Sequence, residues 1–329
     1  MTTFARFLLA FLCIAASFDS LAAPALAQTE TPAAAKAAAP AERRAFAIQV
    51  LDKETRRGVP LIELKTVNDV SFFTDSAGWI AFDEPGLMDR EVYFAVSGPG
   101  YEIEADGFGF RGVRLQTIPG VKAQVLVKKV NVAERLYRLT GQGIYRDSEL
   151  LGEPLPAGAA NMNAGVLGQD SVQAVPYRGR IFWLWGDTNQ PHYPLGNFNT
   201  TSATSPPANE IKPEEAIPYA YFMDSEHPDR VRKMAPSNDP GPMWLFGLFN
   251  IKDDQGRETL VSHYTRQQGL EKVVEHGLMR FDDESGVFRV LKKLDLDDRW
   301  RHPNNNAFHV KETDGDYIYF AAPFASVRV

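Results

Sequence analysis

Residues 165–189 read GVLGQDSVQAVPYRGRIFWLWGDTN, and the fold of the second half of the chain turns on them. The pattern predicts a β-hairpin: one strand over Ser171–Tyr177, a two-residue turn at Arg178–Gly179, and a return strand over Arg180–Gly186. A glycine in the second turn position suits a positive φ, and a two-residue loop fixes the pairing register. That register sets Tyr177 opposite Arg180, Val175 opposite Phe182 and Ser171 opposite Gly186. Carried outward, it sets Asp170 against Asp187. Directly opposed residues have Cβ atoms roughly 5 Å apart, and like charges so placed are destabilising unless a proton, cation or ligand relieves them. The alternative is that each aspartate simply caps a turn.

Both faces of the hairpin are apolar. Val172, Ala174, Ile181, Trp183 and Trp185 occupy one, and Val175, Tyr177, Phe182 and Leu184 the other, which predicts burial on both sides. Pro176 has no N–H and confines its strand to a sheet edge or a bulge. A β-propeller blade meets these demands, with sheets stacked on both faces and its innermost strand bordering a central channel.

The bulk composition is that of an ordinary globular protein, with 44% hydrophobic and 23% charged residues among 329. A net charge of -7 and the lack of a Lys/Arg cluster argue against a nucleic-acid partner. The start of the chain has the form of an export signal: Arg6, an apolar run over Phe7–Phe18, and a small-x-small site at Ala25-Leu26-Ala27. Cleavage before Gln28 would remove Cys13, the single cysteine, and no later run is long and apolar enough for a membrane span. The residues before Cys13 do not resemble a lipoprotein box, so the expected product is soluble, either periplasmic or extracellular. The expected segments are a signal peptide over 1–27, an Ala/Pro-rich linker over 28–43, a β-sandwich over 44–130, a connector over 131–160, and a propeller portion over 161–329.

In the sandwich segment, strands are expected at Phe46–Leu51, Leu61–Thr66, Ser71–Thr74, Trp79–Phe82, Glu91–Ser97, Gly112–Gln116 and Ala123–Lys128. In the later segment they are expected at Tyr219–Met223, Met243–Ile251, Thr259–Tyr264, Gly277–Phe281, Phe288–Lys292, Ala307–Lys311 and Tyr317–Ala322. Met243–Leu291 carries four strands with turns at Asp253–Gly256 and Asp283–Gly286, one blade by count. Gln190–Pro218, rich in Pro, Asn, Thr and Ser, reads as a long structureless excursion. The fold class is therefore all-β: a small β-sandwich followed by an incomplete β-propeller. About two and a half blades are present where closure needs ~4–8, so the sequence is expected to be part of a longer protein.

Two resemblances follow from these motifs. VLDKETRRGVPLIELKTVNDVSFFTDSAGWIAFDEP and the later VYFAVSGPGYE resemble the carboxypeptidase regulatory-like, transthyretin-type sandwich, through a V-x-D start, Thr74-Asp75-x-x-Gly78 and Gly100-Tyr101. That likeness implies an accessory domain without chemistry of its own. GQDSVQAVPYRGRIFWLWGDT, the blade GRETLVSHYTRQQGLEKVVEHGLMRFDDESGVF and HPNNNAFHV resemble the five-bladed propellers of arabinanase-, invertase- and levansucrase-type glycoside hydrolases. The likeness implies a catalytic aspartate at Asp170, with Asp187 orienting it or modulating its pKa. It also implies a carboxylic acid from a later blade, for which nothing before Val329 is a convincing match.

His302, Asn304, Asn305 and Asn306 precede a strand, where polar groups suit sugar hydroxyls. A turn rich in asparagine explains the same residues. Trp300 is the candidate sugar platform, whereas Trp183, Trp185 and Trp244 suit a core. The acidic runs at Asp253–Asp254, Asp282–Glu284 and Asp295–Asp298 lack calcium-loop spacing, and the histidines lack zinc spacing. No metal site or cofactor is expected. The expected function is that of an exported carbohydrate-active protein, of glycosidase type, acting on a polysaccharide or oligosaccharide. The alternative is a non-catalytic carbohydrate-binding or surface-interaction protein.

Overall fold

A computed structural model describes residues 44–133, 144–155, 163–211, 217–270, 272–297, 307–322 and 325–328. The expected signal peptide and most of the Ala/Pro-rich linker lie outside the described residues, as do Trp300, His302, Asn304, Asn305 and Asn306. The described chain is all-β, with a single short α-helix.

The first region holds strands β1 (Phe46–Asp52), β2 (Glu63–Thr66), β3 (Ser71–Phe73), β4 (Trp79–Phe82), β5 (Glu91–Ser97), β6 (Tyr101–Glu102), β7 (Gly112–Gln116) and β8 (Lys122–Lys129). They form two four-stranded sheets, ordered β4-β1-β8-β6 and β3-β2-β5-β7. Alternating residues such as Phe46, Ile48, Val50, Leu64, Phe82 and Phe94 fill the shared core. Each such side chain contributes about 1.5–3 kcal/mol by burial. All seven expected strands of this region form; only the two-residue β6 escaped the sequence pattern.

The described part of the connector does more than join. Helix α1 (Arg146–Leu150) packs on β4, and the Ser148 N–H and Oγ both donate to Asp75 Oδ2 at 2.7 Å. The other oxygen of Asp75 accepts the N–H groups of Ala77 and Trp79 at 2.9 and 3.0 Å. Thr74 Oγ1 donates to the Val59 carbonyl and accepts the Ile62 N–H. The Thr-Asp pair is thus spent on backbone and on the helix, which accounts for the motif structurally.

The later region contains β9 (Gly168–Gln169), β10 (Gln173–Tyr177), β11 (Arg180–Trp185), β12 (Thr188–Gln190), β13 (Tyr193–Asn197), β14 (Thr201–Ser205) and β15 (Ala220–Tyr221). Next come β16 (Met243–Lys252), β17 (Glu258–Gln268), β18 (Lys272–Asp282) and β19 (Val287–Lys293), then β20 (Ala307–Glu312), β21 (Gly315–Ala322) and β22 (Ala325–Arg328). Two antiparallel sheets of four run β10-β11-β14-β15 and β16-β17-β18-β19, a third runs β20-β21-β22, and a small sheet runs β13-β12-β9. Among the described residues these sheets do not close into a ring.

The stretch 190–218 corrects the sequence reading. It is largely ordered as β12, β13, β14 and a short 3-10 turn. Thr201, Ser202, Ala203 and Ser205 are buried there, so β14 is a core strand built from small polar side chains. β14 pairs with β11 on one side and β15 on the other, so backbone hydrogen bonding and close packing replace the missing large apolar groups.

The first strands of the three larger sheets lie side by side. β10 contacts β16, and β16 contacts β20. Gln173 reaches across to accept the Leu248 N–H at 2.7 Å, at a bulge in β16 that leaves this donor outside its own ladder. Asn250 Nδ2 donates to the Pro176 carbonyl at 2.9 Å. Together the three strands border a cleft of about 720 Å³, whose walls include Val175, Pro176, Phe249, Phe308 and His309.

Candidate functional site

The hairpin forms with the expected register. Tyr177 opposes Arg180, Val175 opposes Phe182 and Gln173 opposes Leu184. Arg178 and Gly179 have φ of 49° and 74°, so both turn residues adopt the left-handed conformation that matches the strand twist. Pro176 lies on an edge strand, as its missing N–H requires. Tyr177, Phe182 and Leu184 belong to one buried cluster, and Trp183 and Trp185 to another, so each face of the sheet is buried. The indole rings stack at 6.0 Å, and Trp183 Nε1 donates to Ser205 Oγ at 2.9 Å. Both are core residues.

Beyond Gln173 the ladder breaks and then resumes in the same register. Ser171 has a φ of 51°, so the strand begins two residues later than its sequence suggests. Gln169 then opposes Thr188, and Gly168 opposes Asn189. Within the break the Asp170 N–H donates to the Asp187 carbonyl at 3.2 Å, and the Gly186 N–H donates to the Asp170 carbonyl at 3.1 Å. Asp170 and Asp187 therefore face one another at the hairpin's open end.

Their carboxylates differ. Asp170 is exposed, and its Oδ1 accepts the Asp187 N–H at 3.0 Å. Asp187 is half-buried, and its Oδ1 is sealed from solvent with no hydrogen-bond partner among the described residues. Burial, helped by the negative charge of Asp170, pushes the Asp187 carboxyl up to about 6. Gly186 makes this approach possible. A Cβ there would sit 2.4 Å from Asp170 Oδ1, well inside contact distance.

A polar network the sequence reading missed lies beside the pair. Gln169 Nε2 donates to Thr201 Oγ1 at 2.8 Å and to Thr188 Oγ1 at 3.3 Å, and the two threonine hydroxyls are 2.9 Å apart. Tyr221 Oη donates to Gln169 Oε1 at 3.0 Å, so Gln169 has partners at both ends of its amide. Extending the hairpin register by one residue past Asp170 was enough to set Gln169 against Thr188. Thr201 and Tyr221 come from strands whose pairing is not local.

At the turn end the charges are matched. Tyr177 Oη donates to both oxygens of Asp283 at 2.9 and 2.8 Å, Arg178 pairs with the same carboxylate at 2.8 Å, and the Arg178 N–H bonds Glu258. Asp253 caps its own turn through the Gln255 and Arg257 N–H groups. The described residues of the three acidic runs lie in or beside turns. No group of acidic, histidine or cysteine side chains suited to holding a metal occurs among the described residues. No helix among them is long and apolar enough to cross a membrane.

The structure thus brings Asp170 and Asp187 together. Neither lines the large cleft, whose wall on β10 begins at Ala174. No protein-family model matches the chain, and no curated protein matches it significantly.

Proposed function

We propose that this chain is a carbohydrate-active protein of the propeller type that cleaves glycosidic bonds, with Asp170 and Asp187 as its carboxylate pair. One observation carries the reading: two opposed aspartates, one exposed and one half-buried with an unpartnered oxygen and a pKa raised to about 6. Glycosidic hydrolysis needs two carboxyl groups in different protonation states, one donating a proton and one acting as base or nucleophile. In this reading Asp187, whose carboxyl is the more reluctant to ionise, donates the proton, and Asp170 serves as base or nucleophile. This reading gives Asp187 the acid role, where the sequence implied an orienting or pKa-modulating role beside an acid from a later blade. Three sheets whose first strands border one cleft support the propeller architecture. The export signal at residues 1–27 makes the periplasm or the cell exterior the site of action, and N-terminal mass spectrometry of the exported product should find Gln28 first.

The non-catalytic binding reading draws on one observation of its own: a large cleft lies away from both carboxylates. Assaying hydrolysis and binding together, on a polysaccharide panel, separates the two. Hydrolysis by the wild type that disappears in Asp170→Asn supports the enzyme; binding without hydrolysis, unaffected by that substitution, supports the binder.

A further inference from the structure

A second cavity lies past the carboxylate end of the hairpin, where two turns face each other. Pro191–His192 reverses the chain between β12 and β13. The other turn spans residues 224–230. Asp224 shapes it by accepting the Glu226 and His227 N–H groups at 2.8 and 3.0 Å, and the Asp224 N–H closes its base by donating to the Arg230 carbonyl at 2.9 Å. Between the turns is a space of about 550 Å³, walled by Gln190, His192, Met223, Pro228, Asp229 and Arg230. That volume suits a small ligand. Gln190, only 6% exposed, follows Asp187 by three residues, so their Cα atoms are at most about 10 Å apart along the chain.

The hydrogen-bonding inventory of this cavity is lopsided. Arg230, His192 and the Gln190 amide supply donors, and Arg230 supplies a permanent positive charge. The main opposing acceptor is Asp229, whose side chain is 79% exposed and reaches Arg230 only at 3.9 Å. An exposed pair at that distance contributes little, so the guanidinium can be redirected to a ligand without a large loss. Met223 and Pro228 add apolar surface for the face of a ring.

We propose that this cavity is a sugar subsite selecting a carboxylate-bearing residue, a uronate, held by Arg230 through paired N–H···O bonds, with Gln190 and His192 on its hydroxyls. The inference rests on the carbohydrate reading above and adds the substrate class. Bidentate guanidinium–carboxylate pairing is both stronger and more directional than bonding to a neutral hydroxyl.

The test uses the full chain and calorimetric binding of glucuronic and galacturonic acid oligomers beside the matching glucose and galactose oligomers. Acidic oligomers should bind at least about tenfold more tightly than neutral ones, and Arg230→Gln should remove that preference. A melt of the variant should match the wild type, because Arg230 is exposed and its side chain supports no core. Equal affinity for acidic and neutral oligomers, or a preference that survives Arg230→Gln, overturns the subsite. Hydrolysis that still depends on Asp170 would then leave the carboxylate reading standing. If the wild type neither binds nor cleaves any of these saccharides, both inferences fall.

Discussion

Asp75 in the sandwich and Asp187 at the hairpin mouth are both withdrawn from solvent, yet their carboxylates meet different surroundings. Asp75 is 6% exposed and accepts four hydrogen bonds, two on each oxygen. Asp187 has an oxygen sealed from water with no donor aimed at it, and a second carboxylate for a neighbour. A buried carboxylate saturated with donors is a structural clamp. One left short of donors has its pKa raised, which fits it to exchange a proton near neutral pH. Burial alone does not distinguish the two; the accounting of partners does.

The largest effect should come from removing the saturated carboxylate. Asp75→Ala strands the Ala77, Trp79 and Ser148 donors together and leaves α1 tied to β4 mainly through Asp147 and the Ala81 N–H, which should lower stability by roughly 3 kcal/mol or more in a denaturant melt. A loss below ~1 kcal/mol would mean that the clamp is not a clamp, and the contrast with Asp187 would lose its first term.

At the unsaturated site the balance should reverse. Asp170→Asn should reduce saccharide hydrolysis at least ~100-fold, the usual scale for losing one acid–base partner. The melt should stay near that of the wild type, because the asparagine carbonyl can still accept the Asp187 N–H while the repulsion is gone. A variant that melts several degrees lower and keeps full activity would show Asp170 to be a turn cap. Gly186→Ala sharpens the point while leaving both aspartates in the sequence. Its Cβ would displace the Asp170 side chain, so activity should fall and the Asp187 pKa should move toward its ordinary value.

How much of this was visible in the sequence depends on the range of the interactions. The hairpin register was legible because Arg178–Gly179 admits one turn geometry and the strands alternate cleanly on both sides. That register also carried the Asp170–Asp187 pairing, since one count fixes every partner from Tyr177 to Gly168. The strand β14 was hidden because its buried residues, Thr201, Ser202 and Ser205, carry no hydrophobic signal; their burial comes from neighbours on both sides. The grip of Asp75 on Ser148 spans 73 residues, and no local pattern announces it. The cavity at Gln190 and Arg230 depends on two turns brought together by the sheets, which periodicity does not report.

A smaller effect belongs to the matched end of the hairpin. Tyr177→Phe removes the hydroxyl that bonds Asp283 but leaves that carboxylate paired with Arg178. The remaining ion pair is largely exposed, so the loss should be about 1 kcal/mol in a melt, with hydrolysis unchanged. Equal damage to activity would mean that the two ends of the hairpin are coupled.

The smallest effect is the pH dependence of stability, and its sign follows from Asp187. In the unfolded chain this carboxyl titrates near its ordinary 3.8, and in the fold near about 6. Between those values the folded state holds the proton more tightly, so stability falls as pH rises through the window. Below it both states are protonated and the contribution is fully present; above it both are ionised and the contribution is gone. Because Asp187 is only half-buried, solvent screens part of the effect and the shift in melting temperature should be modest. Asp187→Asn cannot ionise, so its melting temperature should match the wild type near pH 4 and exceed it near pH 8. Asp170→Asn should show an intermediate slope, since it removes the charge repulsion but leaves the burial that is the larger cause. If the gap between wild type and Asp187→Asn stays constant across that range, the Asp187 pKa is not raised. The proton assigned to it would then have to come from another group.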